Sequence, residues 1–390
     1  MSVNTPVREK SPKTSVKILI LIVTLALWIV MAVFLFGMLF HTTEGFSVAN
    51  VKTNLTADFE NMMTKKMGDI VEIDCGDVVF ASTKREYTLS DQDLVAPSPN
   101  RDLYVTVDSP MEVAPVLEEA MDWFEIPETL FTTETEIIEG TKIRYYMDDT
   151  IFVVVWKQAI GNCVYTFSEV QLADASQFRR FLADGKYGAS AEYTTQEMAT
   201  SVNAVMASSA DYYGYRGTGV CVNEGIVYRS DARLLDTCFI DENGDLLFAR
   251  REEFSGAEDI QRYVDENNVR FSLSFGPIMI EDGEYAVPSY YHVGEIHDEY
   301  SRAALCQMGP LHYVIVASNY EGNYQTVHTM GEFTRNLMAL GITRAYALDG
   351  GQTATIVMNN EVINRVSYGA QRNISDIIYF ATAIPEDEWN

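Results

Sequence analysis

Apolar residues alternate with polar ones in short runs along most of the chain, which is the pattern of half-buried β-strands. Two pairs of runs fold back through turns that contain glycine, at Asn223-Glu224-Gly225 and at Asn243-Gly244, and they are predicted to be β-hairpins. Longer apolar runs are predicted to be buried strands. The predicted single strands are residues 69–82, 101–109, 136–149, 150–159, 162–173, 271–275 and 311–320.

Three capping boxes mark helix starts, because a Ser or Thr hydroxyl and a Glu three residues later satisfy free amide groups at a helix N-terminus. These boxes begin at Ser109, Thr194 and Thr329. The helix after Thr329 is predicted to end at Leu340-Gly341, since glycine commonly terminates helices. Residues 176–185, which also end in glycine, are predicted to form a further helix.

Strands and hairpins dominate the pattern, and the few predicted helices are interspersed between them. This order favours an α+β fold with a mixed, largely antiparallel sheet over a doubly wound parallel sheet. A chain of 390 residues has room for about two domains. We expect a small α+β accessory domain at residues 69–160 and a larger domain at residues 161–386.

One long apolar segment precedes the folded region. Residues 18–40 carry no charged side chain, and as a helix they would span roughly 35 Å, enough to cross a bilayer. Four basic residues lie before this segment, so the positive-inside rule predicts a cytoplasmic tail (1–17), a transmembrane helix (18–40), a stalk (41–68) and an extracellular C-terminal part. A cleaved signal peptide is the alternative, but the apolar run is long for one.

The formal net charge of −28 limits the class of partner. Nucleic-acid binding relies on basic patches against phosphates, so we expect no nucleic-acid partner. The five cysteines and five histidines show no spacing typical of a metal site, and no cofactor is predicted. The acidic surface makes a bound Ca²⁺ conceivable, although the sequence contains no calcium-binding loop. Most of the cysteines are expected to be buried and inert.

The strongest chemical signal is Asp349-Gly350-Gly351, which stands between two β-prone segments. An aspartate in a tight turn commonly accepts hydrogen bonds from its own backbone, and this is the simplest interpretation. Alternatively, the turn holds a carboxylate at the end of a sheet, with glycine amides beside it that could bind an anion. The turn alone does not decide between them.

Several separated stretches resemble, in order, the phosphodiester glycosidase family. They are "SADYYGYRGTGVCVNEGIVYR", "SFGPIMIEDGE", "SRAALCQMGPLHYVIVA", "TMGEFTRNLMALGITRAYALDGGQTATIVMNNEVINR" and "NISDIIYF". Together they cover about residues 160–385. The family is related to N-acetylglucosamine-1-phosphodiester α-N-acetylglucosaminidase, and its bacterial members are often labelled exopolysaccharide-related proteins. The resemblance implies hydrolysis of a sugar-1-phosphodiester.

The resemblance also implies the site residues. Asp349 and Asp211 would be the catalytic carboxylates, since glycosidic cleavage ordinarily uses two. A guanidinium and bare amides suit the phosphate, and these would come from Arg302 and from the two glycines of the turn. The substrate-binding residues implied are Arg302, Gly350, Gly351, Thr353, Tyr212, Tyr213 and Asp376.

Some positions depart from the family pattern. Gln352 replaces a third glycine of the turn, and Ser318-Asn319-Tyr320 stands where many members have an Asp-Gly-Arg-like stretch. Two hypotheses therefore remain. The first is a membrane-anchored extracellular hydrolase that acts on sugar-phosphodiesters of cell-envelope glycopolymers. The second is a catalytically degenerate member that binds an envelope glycan or a partner.

Overall fold

The computed structural model describes residues 87–389 apart from 92, 212 and 294, and residues 86–390 form one compact unit. The predicted tail, transmembrane helix and stalk lie outside the described residues. Within the described part of the chain, no helix is both long and apolar enough to cross a bilayer. The four α-helices described there are α1 (Pro110–Trp123), α2 (Thr195–Ser201), α3 (Ala257–Glu266) and α4 (Met330–Ala339).

The strands of the described residues form four sheets, and every named strand pair is antiparallel. The nine-stranded sheet has the order β1 (Tyr104–Val107), β2 (Ile143–Met147), β3 (Ile151–Ile160), β4 (Cys163–Leu172), β15 (His312–Asn319), β14 (Arg302–Gly309), β16 (Arg344–Leu348), β12 (Ile278–Glu281) and β13 (Glu284–Tyr285). The five-stranded sheet has the order β18 (Glu361–Val362), β17 (Ile356–Met358), β6 (Met206–Ser209), β19 (Asp376–Phe380) and β5 (Phe178–Leu182).

Two smaller sheets complete the fold. One has the order β10 (Leu246–Ala249), β9 (Thr237–Ile240) and β11 (Phe271–Leu273), and the other pairs β7 (Gly219–Asn223) with β8 (Ile226–Asp231). Antiparallel sheets with four helices confirm the predicted α+β class for the described residues. Both predicted hairpins are present, as β7–β8 and β9–β10.

The nine-stranded sheet is buried on both faces. One face packs against α1 and α4, through residues such as Leu117 and Phe333. The other face packs against the five-stranded and three-stranded sheets, where Tyr313 meets Phe178 and Phe380. Because both faces of β4 are covered, all ten of its residues are buried. Helix α2 packs against the five-stranded sheet, and α3 packs against the two smaller sheets.

The domain boundary expected at residue 160 falls inside a β-hairpin. Strands β3 and β4 pair over their full ten-residue length, from Ile151 opposite Leu172 to Ile160 opposite Cys163. The rings of Trp156 and Phe167 stack across this pair, with centroids 5.0 Å apart. From Tyr104 onward, the residues expected to form a separate module therefore extend the main sheet.

The predicted helix at residues 176–185 is wrong, because Phe178–Leu182 form strand β5 instead. All three predicted helix starts are confirmed, with capping boxes at Thr194 and Thr329 and a simple N-cap at Ser109. Gly341 follows the C-cap of α4, Leu340, with φ of +86°. A cap depends on residues within one turn of the helix. In β5, the choice between helix and strand depends on partners for Phe178 and Arg180 that lie far away in the sequence.

Candidate active site

The candidate site lies where two sheets meet end to end. Asp349 follows the last residue of β16, and Asp211 lies two residues beyond the end of β6. The backbone N–H of Asp349 donates to the carbonyl oxygen of Ala210 at 3.2 Å, which joins the two strand ends. The fold thus brings together the two carboxylates that the sequence predicted to be catalytic.

The carboxyl group of Asp349 lies in a partly buried position that favours its neutral form. Its Oδ2 atom is buried and has no hydrogen-bond partner among the described residues. Burial raises the pKa of Asp349 to about 6, while the nearby hydroxyl of Thr353 and the positive charges of Arg216 and Arg372 act in the opposite direction. Asp349 therefore changes its charge close to neutral pH, as expected of a group that exchanges protons during a reaction.

The turn after Asp349 is held by backbone contacts. A Cβ atom on Gly350 would lie 2.5 Å from the carbonyl oxygen of Ser301, so this position requires glycine. The amide of Gly351 donates to the same oxygen at 2.7 Å, and this differs from the expectation that it is bare for an anion. Thr353 is buried and donates from both its amide and its hydroxyl to the carbonyl oxygen of Gly350.

Asp211 belongs to a buried group of charges. Its Oδ2 atom accepts from the amide of Ser274 at 2.9 Å and lies 3.6 Å from a guanidinium nitrogen of Arg180. Its Oδ1 atom lies 3.4 Å from Nη2 of Arg216. Since Arg216 also influences the charge of Asp349, Asp211 positions a cation beside the candidate reacting group.

Asp376 does not face solvent, contrary to its predicted role in substrate binding. It is fully buried at the start of β19, and its Oδ2 atom accepts from Nε of Arg180 at 2.8 Å. Burial raises the pKa of Asp376, against the attraction of Arg180, and the neighbouring Asp211 raises it further. Asp376 instead helps to hold Arg180 within the buried group.

Arg302 is also placed differently from its predicted role. Its side chain is buried, and it donates to the backbone carbonyl oxygens of Glu295, Asp298 and His328. Burial lowers the pKa of Arg302 to about 10. The guanidinium therefore fastens a surface loop, because these carbonyl groups use its donors.

Tyr213 forms part of the wall of the site. It is buried, its ring is stacked on that of Tyr187 with centroids 5.4 Å apart, and the guanidinium carbon of Arg180 lies 5.3 Å from its centre. This burial differs from the predicted stacking on a sugar. Tyr212 lies outside the described residues.

Three arginines that were not predicted to be site residues lie near these carboxylates: Arg180, Arg216 and Arg372. Arg180 lies in a segment that the sequence predicted to be a helix. The Phe-Arg-Arg-Phe-Leu pattern carried a signal, because two adjacent arginines on a strand point to opposite faces, so one must find a buried partner. Arg216 lies within the first of the family-like stretches, only five residues after Asp211.

The described residues contain no group of three or more His, Cys, Asp or Glu side chains that could hold a metal ion. Four of the five cysteines are described, and all four are buried free thiols: Cys163, Cys221, Cys238 and Cys306. Burial raises the pKa of each of these thiols, so they remain protonated and poorly reactive at neutral pH.

Comparisons with known proteins agree with the resemblance. No curated protein matches the sequence. Among solved structures, the catalytic domain of zebrafish N-acetylglucosamine-1-phosphodiester α-N-acetylglucosaminidase, auto-inhibited by its pro-peptide, is 14% identical, with a TM-score of 0.48 over 60% of this chain and 83% of that one. A hypothetical protein from Synechocystis is 11% identical, with a TM-score of 0.44 over 64% of each chain. Residues 196–381, a stretch that contains Asp211 and Asp349, match the model of the phosphodiester glycosidase family.

Proposed function

We propose that this protein hydrolyses a sugar-1-phosphodiester and that Asp349 is the reacting carboxylate. The substrate would be a cell-envelope glycopolymer, such as one linked through N-acetylglucosamine-1-phosphate. The protein would act outside the cell, anchored by residues 18–40. The observation that carries the proposal is the buried, unpartnered Oδ2 atom of Asp349, beside the family-matched Asp211 at the junction of two sheets.

The charges around Asp349 suit this chemistry. A phosphodiester brings one negative charge into the site, and the positive charges of Arg216 and Arg372 are close enough to influence Asp349. When the bond between the sugar C1 and the phosphate oxygen breaks, the electron pair leaves with the phosphate. The positive charge that develops on the sugar is stabilised by the ionised carboxylate of Asp349.

Water completes the reaction at C1. The Asp349 carboxylate accepts a proton from the attacking water, so the products are a free sugar and a phosphomonoester. The phosphate is a good leaving group without protonation, so the second carboxylate need not act as an acid. Asp211 instead holds Arg216 and the amide of Ser274 in place.

The test is turnover by the full chain. Release of free N-acetylglucosamine is measured from UDP-N-acetylglucosamine and from the methyl diester of N-acetylglucosamine-1-phosphate. Because the ionised carboxylate is the active form, kcat/KM should fall about tenfold per pH unit below pH 6 and level off above it. Asp349→Asn should lower turnover by about 10³-fold or more. Turnover that persists in Asp349→Asn would exclude Asp349 as the reacting group.

A second candidate function is glycan binding without turnover. The burial of Arg302 and the internal bonding of the Gly351 amide favour it, because they remove two of the predicted phosphate contacts. Binding of the methyl diester without release of sugar, in the wild-type chain over the whole pH range, would select this second function.

A further inference from the structure

A strained, exposed aromatic residue lies next to the Asp349 turn. Tyr368 is 84% exposed, and its backbone φ of +61° is in the left-handed region that bulky residues rarely adopt. Such a conformation persists only where surrounding contacts impose it, and it is found preferentially at functional positions. The contacts that impose it here belong to the candidate site.

Three side chains fasten the segment around Tyr368, residues 365–370. The side-chain Nδ2 atom of Asn319 donates to the carbonyl oxygen of Arg365 at 2.8 Å. The hydroxyls of Ser301 and Ser367 lie 2.9 Å apart. The side chain of Gln352 donates to the carbonyl oxygen of Ala370 at 3.0 Å. Because Ser301 also accepts from Gly351, the segment is joined directly to the turn that carries Asp349.

A second exposed ring, that of Tyr300, lies close enough to Tyr368 for the two phenol groups to interact electrostatically. Tyr300 precedes Ser301 in the chain and is 42% exposed. The guanidinium carbon of Arg302 lies 5.6 Å from the ring centre, and this cation helps to hold the ring in place. Tyr300 and Tyr368 are thus attached to two serines whose hydroxyls are in contact.

The segment that carries Tyr368 also carries a guanidinium, that of Arg365. Arg365 is exposed, and its guanidinium carbon lies 4.8 Å from the ring centre of Tyr320. Among the described residues, no carboxylate forms an ion pair with Arg365, although the protein as a whole is strongly acidic. A positioned cation without an acidic partner is suited to an anionic ligand.

We propose that Tyr300, Tyr368 and Arg365 form an extended binding surface for the next repeat of a sugar-phosphate polymer, beside the bond that is cleaved. Sugar rings present apolar faces that pack on tyrosine rings, and the phosphate of the adjoining repeat pairs with Arg365. This inference rests on the proposed function for its choice of ligand. These three residues would give the protein a preference for polymeric over single-unit substrates.

The experiment measures binding in the full chain carrying Asp349→Asn, so that the ligand is not consumed. The probes are dye-labelled oligomers containing one or four N-acetylglucosamine-1-phosphate units, and an uncharged N-acetylglucosamine tetramer with the same dye. The charged tetramer should bind at least about tenfold more tightly than the single unit. Tyr368→Gly and Arg365→Gln should each weaken tetramer binding by about tenfold.

Two features keep the result interpretable. Glycine accepts the φ of Tyr368, so Tyr368→Gly removes the ring without disturbing the backbone. Tyr285→Ala is the matched control, because Tyr285 is also 42% exposed and also lies beneath a guanidinium, that of Arg335, but it belongs to the edge strand β13. This control should change tetramer binding by less than about twofold.

Three outcomes would overturn the proposal: tetramer and single unit bind equally, Tyr368→Gly and Arg365→Gln bind like the parent chain, or the uncharged tetramer binds as tightly as the charged one. Because this measurement needs no turnover, it is separate from the proposed function. Hydrolysis of the single unit together with equal binding of both oligomers would remove only this inference. Tighter tetramer binding without any hydrolysis would remove only the enzymatic activity.

Discussion

Asp349 carries an ionisable group in a place where ionisation is unfavourable. Its folded-state pKa of about 6 lies above the value of an exposed aspartate, so the folded protein binds the proton more tightly than the unfolded chain does. The contribution of Asp349 to stability is therefore fully present at pH values below about 4. It is lost as pH rises through about 6. At neutral pH, the residue that we propose to be catalytic weakens the fold.

Replacement by a neutral isostere should therefore stabilise the protein. Asp349→Asn is expected to raise the free energy of unfolding by about 1–2 kcal/mol at pH 7.5, after allowance for solvent near this partly exposed residue. The gain should disappear near pH 4, where both side chains are neutral. Urea unfolding at several pH values measures it.

Asp231→Asn is the control, because the pKa of Asp231 is shifted in the opposite direction to that of Asp349. A hydrogen bond from Arg233 lowers the pKa of Asp231, so its ionised form is the favoured one and the variant should be no more stable than the wild type above pH 4. If Asp349→Asn behaved like Asp231→Asn, Asp349 would not have a raised pKa, and the acid limb of its proposed pH profile would lose its basis.

Substitution within the buried group of charges around Arg180 should change the unfolding free energy more than Asp349→Asn does. Arg180→Leu leaves Asp376 and Asp211 buried without their shared cation, which should cost about 3–5 kcal/mol of unfolding free energy. Adding Asp376→Asn should recover part of that loss. Arg233→Leu removes a cation whose side chain is 81% exposed and should change the unfolding free energy far less. Equal losses in Arg180→Leu and Arg233→Leu would contradict the importance of the buried group.

At the scale of elements, the turn between β16 and β17 depends on two glycines for different reasons. Gly350 is required by space, because its Cβ would meet a backbone oxygen. Gly351 has φ of +61°, and a Cβ added there would have no neighbouring atom within 4 Å. A steric conflict with backbone forces the turn to move, whereas an unusual φ alone adds limited strain.

Alanine at these two positions should therefore differ. Gly350→Ala is expected to cost about 2–3 kcal/mol and to abolish turnover, since it displaces Asp349 relative to Asp211. Gly351→Ala should cost about 1 kcal/mol and keep measurable turnover. Thermal unfolding and the sugar-release assay on both variants measure this difference. A milder effect at Gly350 than at Gly351 would show that the turn relaxes around the contact with Ser301.

At the scale of the whole molecule, the nine-stranded sheet joins residues on both sides of the expected domain boundary. Strand β4 is paired with β3 on one edge and with β15 on the other. The carboxylate of Glu169 in β4 also accepts from the amides of Leu130 and Phe131, at 2.8 and 2.7 Å. Removal of the preceding residues would expose a long apolar strand edge and leave a buried carboxylate without these donors.

Truncation tests this organisation. A fragment of residues 161–390 should be insoluble or should lack cooperative unfolding, whereas residues 87–390, which retain β1–β3, should unfold cooperatively. Circular dichroism during heating distinguishes the two results. Cooperative unfolding of residues 161–390 would show that the larger expected domain is sufficient and that β1–β3 only extend it.

The sequence by itself determined the features that depend on neighbouring residues. Three helix starts, two hairpin turns and the glycine beyond the C-cap of α4 are correct because each depends on backbone geometry within a few residues. The ordered motifs also pointed to the phosphodiester glycosidase family, whose model matches residues 196–381, and drew attention to Asp349 and Asp211.

Only the tertiary structure decided which charged side chains share a site. Arg180 pairs with Asp376, 196 positions further along the chain, and no local pattern encodes that contact. Arg302 donates to His328, 26 positions away, as well as to two carbonyl groups of its own loop. The same holds for Asn319 and Gln352, two departures from the family pattern that both fasten the 365–370 segment. The physical reason is that burial makes the role of a charge depend on its partners, and these partners are chosen by how the sheets pack.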